Sequence, residues 1–149
     1  MIKNLLVFAL LFFVSLNVFP QNYDKTKKNI INSIENHEEE IIKISDKIWK
    51  LAETAFNEYQ SSKLLSDYAE ANGFTLERGV AGMPTAFVAT YGMGRPVISV
   101  LGEFDALPGL SQDTTPTKKP LTEGGNGHGC GHNLFGAASL ASAIAIKEQ

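Results

Sequence analysis

The chain's only cysteine and two of its three histidines lie in one glycine-rich stretch, GGNGHGCGHN, residues 124–133, called the glycine loop below. Cys130 and His132 are two positions apart, so in an extended backbone their side chains leave on the same side. The glycines on either side of Cys130 let the loop fold closely around an ion. Thiolate sulfur and imidazole nitrogen are good zinc ligands. The spacing therefore predicts that Cys130 and His132 ligate one metal ion.

Other interpretations of the glycine loop fit its residues less well. Its glycines alternate strictly from 125 to 131, which does not match a dinucleotide-binding fingerprint, and no Lys-Ser or Lys-Thr pair completes a phosphate-binding loop. A nucleophilic Cys130 with His128 or His132 as its base is chemically conceivable. A turn that carries its polar residues incidentally is the remaining alternative.

The elements around the glycine loop must position these side chains. Residues 96–101, PVISVL, form a continuous apolar run that is typical of a strand covered on both faces in an α/β sheet. Ligands bind at the carboxyl ends of such strands, and Asp105 lies just beyond this end. Residues 134–146 are almost wholly apolar and small, which predicts a helix buried on most sides. Asp105 and the glycine loop are thus expected at one rim of a parallel sheet.

A long amphipathic helix, or two helices joined end to end, is predicted over residues 25–56. Apolar residues recur there every seven positions, at Ile34, Ile41, Ile48 and Ala55. On this helix Trp49 is expected in the core and His37 on a solvated face, with a cofactor-binding role for either as the alternative.

The next segments predict a second helix and two strands. The helix is expected over residues 61–72, with Gly73 ending it in a left-handed conformation. The strands are expected over residues 74–77 and 85–91. Together with the run before Asp105 this order predicts an α/β fold.

Composition limits the class of function. A chain of 149 residues suffices for one modest domain. With 13 Lys and Arg against 16 Asp and Glu, the formal net charge is −3, and no run of basic residues marks a nucleic-acid site. The balance favours a protein that acts on small molecules.

Residues 1–21 have the layout of a secretory signal peptide. Lys3 precedes an apolar run over residues 5–14, and polar sequence begins at Gln21, near the expected cleavage site. The alternative, a membrane anchor, needs ~20 apolar residues, more than the run offers. A periplasmic or secreted protein is therefore predicted, without a stable membrane anchor. Metal ligation would protect the unpaired Cys130 in such an oxidising compartment.

Two linked motifs carry a family resemblance. GEFDALPGLSQ, residues 102–112, is followed after a polar loop by GHGCGHNLFGAAS, residues 127–139. The pair resembles the zinc amidohydrolase and metallopeptidase family of aminoacylase, hippurate hydrolase and indoleacetyl-amino-acid hydrolase, and is closest to the p-aminobenzoyl-glutamate hydrolase branch. The resemblance covers nearly all of residues 22–149. It implies that they are the amino-terminal part of a three-layer α/β/α zinc-peptidase-like catalytic domain.

The resemblance also implies a two-metal site that holds zinc or manganese, with Cys130 and His132 as metal ligands. Asp105 matches the catalytic-site carboxylate that supports the metal centre, and by accepting the imidazole's other N–H it would raise the basicity of the ligand. Glu103 stands where other branches hold a ligating histidine, and a supporting or structural role is expected for it here. His128 matches a motif histidine, for which a loop-shaping hydrogen bond is expected.

Asn133 replaces the aspartate that many relatives carry after Cys-Gly-His, in agreement with the p-aminobenzoyl-glutamate branch; it is also a candidate helix N-cap. The implied reaction is hydrolysis of an amide bond in N-acyl or N-aroyl amino acids or in dipeptides. In that reaction a metal-activated water attacks the carbonyl carbon, and a second ion polarises the carbonyl oxygen.

The family takes its general base and its remaining ligands from beyond residue 149. The chain is therefore expected to be a fragment that is inactive alone, without the rest of the catalytic domain and the lid domain through which family members pair. The complete enzyme is expected to be a homo-oligomer acting on a small amide or dipeptide. The alternative, from another class, is a noncatalytic exported protein that binds a metal or a peptide with the same loop.

Overall fold

The computed structural model describes residues 23–149. Its elements in chain order are helix α1 (Tyr23–Leu51), helix α2 (Tyr59–Ala71), strand β1 (Thr75–Arg78), a short 3₁₀ turn (Val80–Gly82), strand β2 (Phe87–Thr90) and helix α3 (His132–Lys147). The mixed α/β class is confirmed, as is the order of two opening helices, strands and a last helix. The predicted signal peptide lies outside the described residues. None of the helices between residues 23 and 149 is long and apolar enough to cross a membrane.

Helix α1 is a single helix, but its buried face differs from the predicted stripe. Ile48 is fully buried as expected, whereas Ile34 is 38% exposed. Ser33 and Ser45 are buried instead. Ser33 donates to Oε2 of Glu148, the residue after α3, at 2.6 Å, and the Ser45 hydroxyl accepts from Nδ2 of Asn133, in α3, at 3.1 Å. A search for apolar periodicity cannot find a face that is defined partly by serines.

The expectation that His37 lies on a solvated face is wrong. Its Nδ1 lies 2.7 Å from the Tyr68 hydroxyl and its Nε2 lies 3.1 Å from Glu148 Oε1. His37 therefore links α1 to both other helices. Trp49 is only half-buried and is not among the buried core residues.

Helix α2 ends as predicted, at a left-handed glycine. Gly73 has φ +83°, its N–H donates to Glu70 O, and the N–H of Phe74 donates to Ala69 O. These two bonds satisfy the last carbonyl groups of the helix. Phe74 then enters the core, next to the start of β1.

The two strands form an antiparallel pair whose register runs from Thr75↔Thr90 to Arg78↔Phe87. Leu76, Phe87 and Ala89 pack against the core, which lies between the three helices, whereas Val88 is 47% exposed. The buried core residues are Ile44, Ile48, Leu65, Ala69, Phe74, Leu140 and Ile144.

Two expectations about the second half of the chain are wrong for the described residues. Residues 96–101 are not assigned to a strand, and Val97 and Leu101 are 77% and 73% exposed. Within residues 23–149 nothing pairs with this run as a sheet neighbour, so the predicted parallel sheet is not formed there. Helix α3 is buried on one side only, with Leu134 and Ile146 exposed on the other.

Candidate metal centre

Backbone hydrogen bonds bring Asp105 and the glycine loop together. The N–H of Ala106 donates to Glu53 O at 2.7 Å, beside a parallel bridge between Thr54 and Ala106. Leu107 and Gly127 exchange N–H···O bonds of 2.9 and 3.0 Å in an antiparallel bridge. These four bridging residues, 54, 106, 107 and 127, form a narrow three-segment arrangement called the backbone ladder here. It fixes the residue before Ala106, which is Asp105, and the residue after Gly127, which is His128.

Small residues let helix α3 approach the segment that carries Glu103 and Asp105. A Cβ atom at Gly136 would lie 2.9 Å from Glu103 O, and one at Gly102 would lie 3.0 Å from Ser139 Cβ. The hydroxyl of Ser139 also donates to Leu101 O at 2.7 Å. The small side chains of α3 therefore serve to bring its first residue close to the two carboxylates.

His132 is the first residue of α3 and lies between these carboxylates. Gly131, at the N-cap, has φ +81°, a left-handed conformation that turns the chain into the helix. His132 Nδ1 lies 2.7 Å from Asp105 Oδ1, and Nε2 lies 3.1 Å from Glu103 Oε2. One ligand atom from each of Glu103, Asp105 and His132 lies within 4.8 Å of the other two.

The geometry of this cluster suits a cation. In the tautomer in which Asp105 accepts the Nδ1–H, the lone pair of Nε2 faces the carboxylate of Glu103, and the two repel each other. A cation or proton between Nε2 and Glu103 Oε2 removes that repulsion. Two ligand atoms of a tetrahedral zinc ion lie roughly 3.3 Å apart, close to the 3.1 Å found for this pair. Imidazole nitrogen and carboxylate oxygen are donors that zinc and manganese accept.

His128 makes the loop-shaping contact expected of it and leaves one nitrogen unpartnered. Its Nε2 lies 3.1 Å from Ile48 O, and because a carbonyl only accepts, Nε2 carries the proton. Nδ1 is buried and has no hydrogen-bond partner among the described residues. Burial of the ring lowers the pKa of His128 below its ordinary 6.5, although the bond to Ile48 opposes this. The lone pair of Nδ1 thus remains a free acceptor close to the cluster.

Cys130 lies outside the cluster of Glu103, Asp105 and His132, with its side chain exposed. The extended backbone assumed for it is not present, because the N–H of Gly131 donates to His128 O at 3.0 Å and closes a turn over residues 128–131. Ligation of a metal by Cys130 therefore stays a prediction.

The structure changes the roles expected for two neighbours of this site. Glu103, expected to be supporting or structural, places its carboxylate on the Nε2 of His132. The sequence contained an indication of this contact: Glu103 is two positions from Asp105, and in an extended segment this spacing puts both side chains on one side. Asn133 is not the helix N-cap: Gly131 occupies that position, and Asn133 is buried inside α3 against Ser45.

Comparison with known proteins identifies relatives with hydrolase and peptidase names. No family model matches the chain. It is 48% identical over 122 residues to a subunit of p-aminobenzoyl-glutamate hydrolase from Escherichia coli (strain K12), a match that covers 80% of this chain and 25% of that protein. It is 32% identical over 117 residues to thermostable carboxypeptidase 2 of Saccharolobus solfataricus, covering 77% of this chain and 29% of the relative. Xaa-Arg dipeptidase of Mus musculus is 27% identical over 131 residues, which cover 81% of this chain and 27% of the dipeptidase. The chain thus spans between 25% and 29% of the length of these relatives.

Proposed function

Since the chain belongs to the family of amidohydrolases and peptidases that includes these relatives, we propose that it is part of a metal-dependent hydrolase of amide bonds. The observation that carries the proposal is the 48% identity over 122 residues with the p-aminobenzoyl-glutamate hydrolase subunit of Escherichia coli. The proposed substrates are N-acyl or N-aroyl amino acids and dipeptides, and p-aminobenzoyl-glutamate is the first to test.

The proposed metal is zinc or manganese, with two ions in the complete enzyme. His132 and Glu103 offer the donor atoms for one ion, and Cys130 is proposed as a further ligand. A bound divalent ion would supply Lewis acidity for the amide carbonyl and an activated water at neutral pH. By accepting the Nδ1–H of His132, Asp105 would hold the ring with Nε2 available to an ion and would raise the basicity of that nitrogen. Both carboxylates lie near the amino terminus of α3, where the helix dipole favours negative charge.

The proposal extends to location and assembly. The apolar run over residues 5–14 after Lys3 supports export to the periplasm or the medium. The Escherichia coli relative is named as one subunit of its enzyme, which supports an assembly of more than one chain for the complete protein, with a homo-oligomer as our proposal.

Metal binding by this chain is the first test. Titration calorimetry with Zn²⁺ should show binding, and His132→Gln should weaken it by more than ~100-fold because a ligand is lost. His37→Gln removes a histidine outside the cluster and should leave the affinity unchanged. Equal metal content in the wild type and Cys130→Ala would exclude Cys130 as an essential ligand.

Hydrolysis is tested on the product of the complete reading frame. It should release p-aminobenzoate from p-aminobenzoyl-glutamate, lose this activity in a chelator and regain it with Zn²⁺ or Mn²⁺. Activity that persists after the metal has been removed would contradict the proposed mechanism.

A further inference from the structure

The segment between α1 and α2, residues 52–54, supports both loops of the candidate metal centre with its main chain. Glu53 O accepts the N–H of Ala106 at 2.7 Å, and Thr54 forms the parallel bridge to the same residue. Ala52 O accepts from Asn126 Nδ2 at 3.3 Å, on the glycine loop. Three consecutive residues therefore touch the segment that carries Asp105 and the loop that carries His132.

The side chain of Glu53 binds the start of helix α2. Oε2 accepts from the N–H and the hydroxyl of Ser61, at 2.8 and 2.7 Å, and Oε1 accepts from the N–H of Gln60 at 3.1 Å. Glu58, at the N-cap, makes no side-chain capping bond. Glu53 thus accepts hydrogen bonds from N–H groups of the first turn of α2 that the N-cap side chain does not bond. Its negative charge is favoured at the amino terminus of a helix by the helix dipole.

The 52–54 segment needs this anchor because its backbone is strained. Ala52 has φ +44°, a left-handed conformation that costs an L-residue roughly 1–2 kcal/mol. Such a conformation persists only when the surroundings hold it. On the side that faces α2, the contacts that hold the segment are the hydrogen bonds from Ser61 and Gln60 to the carboxylate of Glu53.

We infer that Glu53 is a positioning residue of the metal centre, an inference that rests on the proposed function of that centre. Its carboxylate fixes the 52–54 segment on α2, and its carbonyl fixes Ala106, so that the neighbouring Asp105 meets His132 at hydrogen-bond distance. Glu53 itself contacts neither side chain. It acts through the bond from Ala106 N–H to its own carbonyl oxygen, which lies beside the bridge between Thr54 and Ala106.

The test uses ¹⁵N-histidine-labelled chain and two Glu53 variants. The Nδ1–H of His132, bonded to Asp105, should give a downfield imidazole proton signal that Asp105→Asn abolishes, which assigns it. Glu53→Gln replaces the carboxylate, whose Oε2 accepts two hydrogen bonds from Ser61, by an amide with a single acceptor oxygen. Glu53→Ala removes both acceptor oxygens. Both variants should lose or shift the signal, and Co²⁺ affinity should fall by ~10-fold, the lower limit for loss of an outer support.

Glu58→Gln is the control. Its carboxylate is buried at the same end of α2 but bonds to Thr85, at 2.6 Å. It should reduce the unfolding temperature without moving the His132 signal or the visible spectrum of bound Co²⁺. A signal and an affinity that are unchanged in folded Glu53→Gln and Glu53→Ala would overturn the inference.

Failure of the proposed function gives a different result. If the wild-type chain binds no Co²⁺ or Zn²⁺, the metal centre is contradicted. The His132 proton signal still decides whether Glu53 sets the contact between Asp105 and His132, because that signal needs no metal.

Discussion

The two contacts of the His132 ring differ in kind. Asp105 is the more buried partner and lies 2.7 Å from Nδ1, whereas Glu103 is half exposed and lies 3.1 Å from Nε2. The more buried carboxylate, on the shorter contact, orients the ring, and the more exposed carboxylate lies against the other nitrogen. These two different contacts suit a metal-ligating histidine, in which a carboxylate holds one ring nitrogen, here Nδ1, while the other, Nε2, is available to an ion.

Gly127 is the residue at which a single methyl group should break the backbone ladder. A Cβ there would lie 2.1 Å from Leu110 O and 2.6 Å from Leu110 C, so the main chain would have to move. We expect Gly127→Ala to lower the free energy of unfolding by about 3 kcal/mol, measured by urea denaturation.

Gly129→Ala is the matched control in the same loop. Its Cβ would meet Leu110 Cδ1 at 2.8 Å, the end of a side chain that can rotate away. A loss below about 1 kcal/mol is expected. Equal losses in the two variants would mean that close approach at Gly127 is not the cause.

The carboxyl of Glu53 should give stability a pH dependence. Burial of Glu53 opposes its ionisation, but hydrogen bonds from Ser61 and Gln60 outweigh this and hold the pKa of its carboxyl below the ordinary 4.5. The folded state thus binds the proton less tightly than the unfolded state. The resulting stabilisation is present above pH 4.5 and is lost as pH falls through the folded-state pKa.

Comparison with Glu53→Gln isolates this effect from other carboxylates. The difference in unfolding free energy between wild type and variant should be largest above pH 4.5 and should shrink steadily as the pH falls below that value. A difference that is constant with pH would show that the charge of Glu53 does not contribute.

At the scale of elements, the carboxyl end of α3 is fastened to α1 by Glu148. Its carboxylate accepts from Ser33 at 2.6 Å and lies 3.1 Å from His37 Nε2, and these two bonds hold the pKa of Glu148 below its ordinary value. Glu148→Ala should cost about 1 kcal/mol, because partly exposed hydrogen bonds contribute modestly. Amide exchange in the last turn of α3 should quicken in this variant.

An exposed ion pair on α1 provides the comparison for Glu148. Glu39 pairs with Lys43 one turn along the same helix, with both side chains open to solvent. Glu39→Ala should leave amide exchange in α3 unchanged. If it quickened exchange there as much as Glu148→Ala, the fastening role of Glu148 would be disproved.

At the scale of the whole molecule, residues 97–101 expose an apolar run that invites self-association. Val97 and Ile98 are 77% and 71% exposed. The double variant Val97→Thr and Ile98→Thr should bind less of a hydrophobic dye and scatter less light at high concentration, since exposed apolar patches promote aggregation. Its stability should stay within about 0.5 kcal/mol of the wild type. Unchanged dye binding would show that residues 97–101 are not the apolar surface that binds the dye.

Local sequence rules predicted the elements well and the long-range contacts poorly. Gly73 ends α2 as its residue type demands, and both strands lie within one or two residues of their predicted bounds. The strand at residues 96–101 failed because its apolar character describes a buried environment that residues 23–149 do not supply. The role of Glu53 was out of reach, since its bonds to Ser61 and Ala106 depend on how three segments meet.

The backbone ladder and the bond from His128 to Ile48 also bear on the order in which the chain folds. His128 and Ile48 are 80 positions apart, and Asn126 and Ala52 are 74 apart. Closing loops of such length costs entropy that only later contacts repay, so these pairings are expected to form slowly and after the local helices. During synthesis, the carbonyl groups of Ile48 and Ala52 therefore bond to water until the glycine loop has left the ribosome and can replace that water.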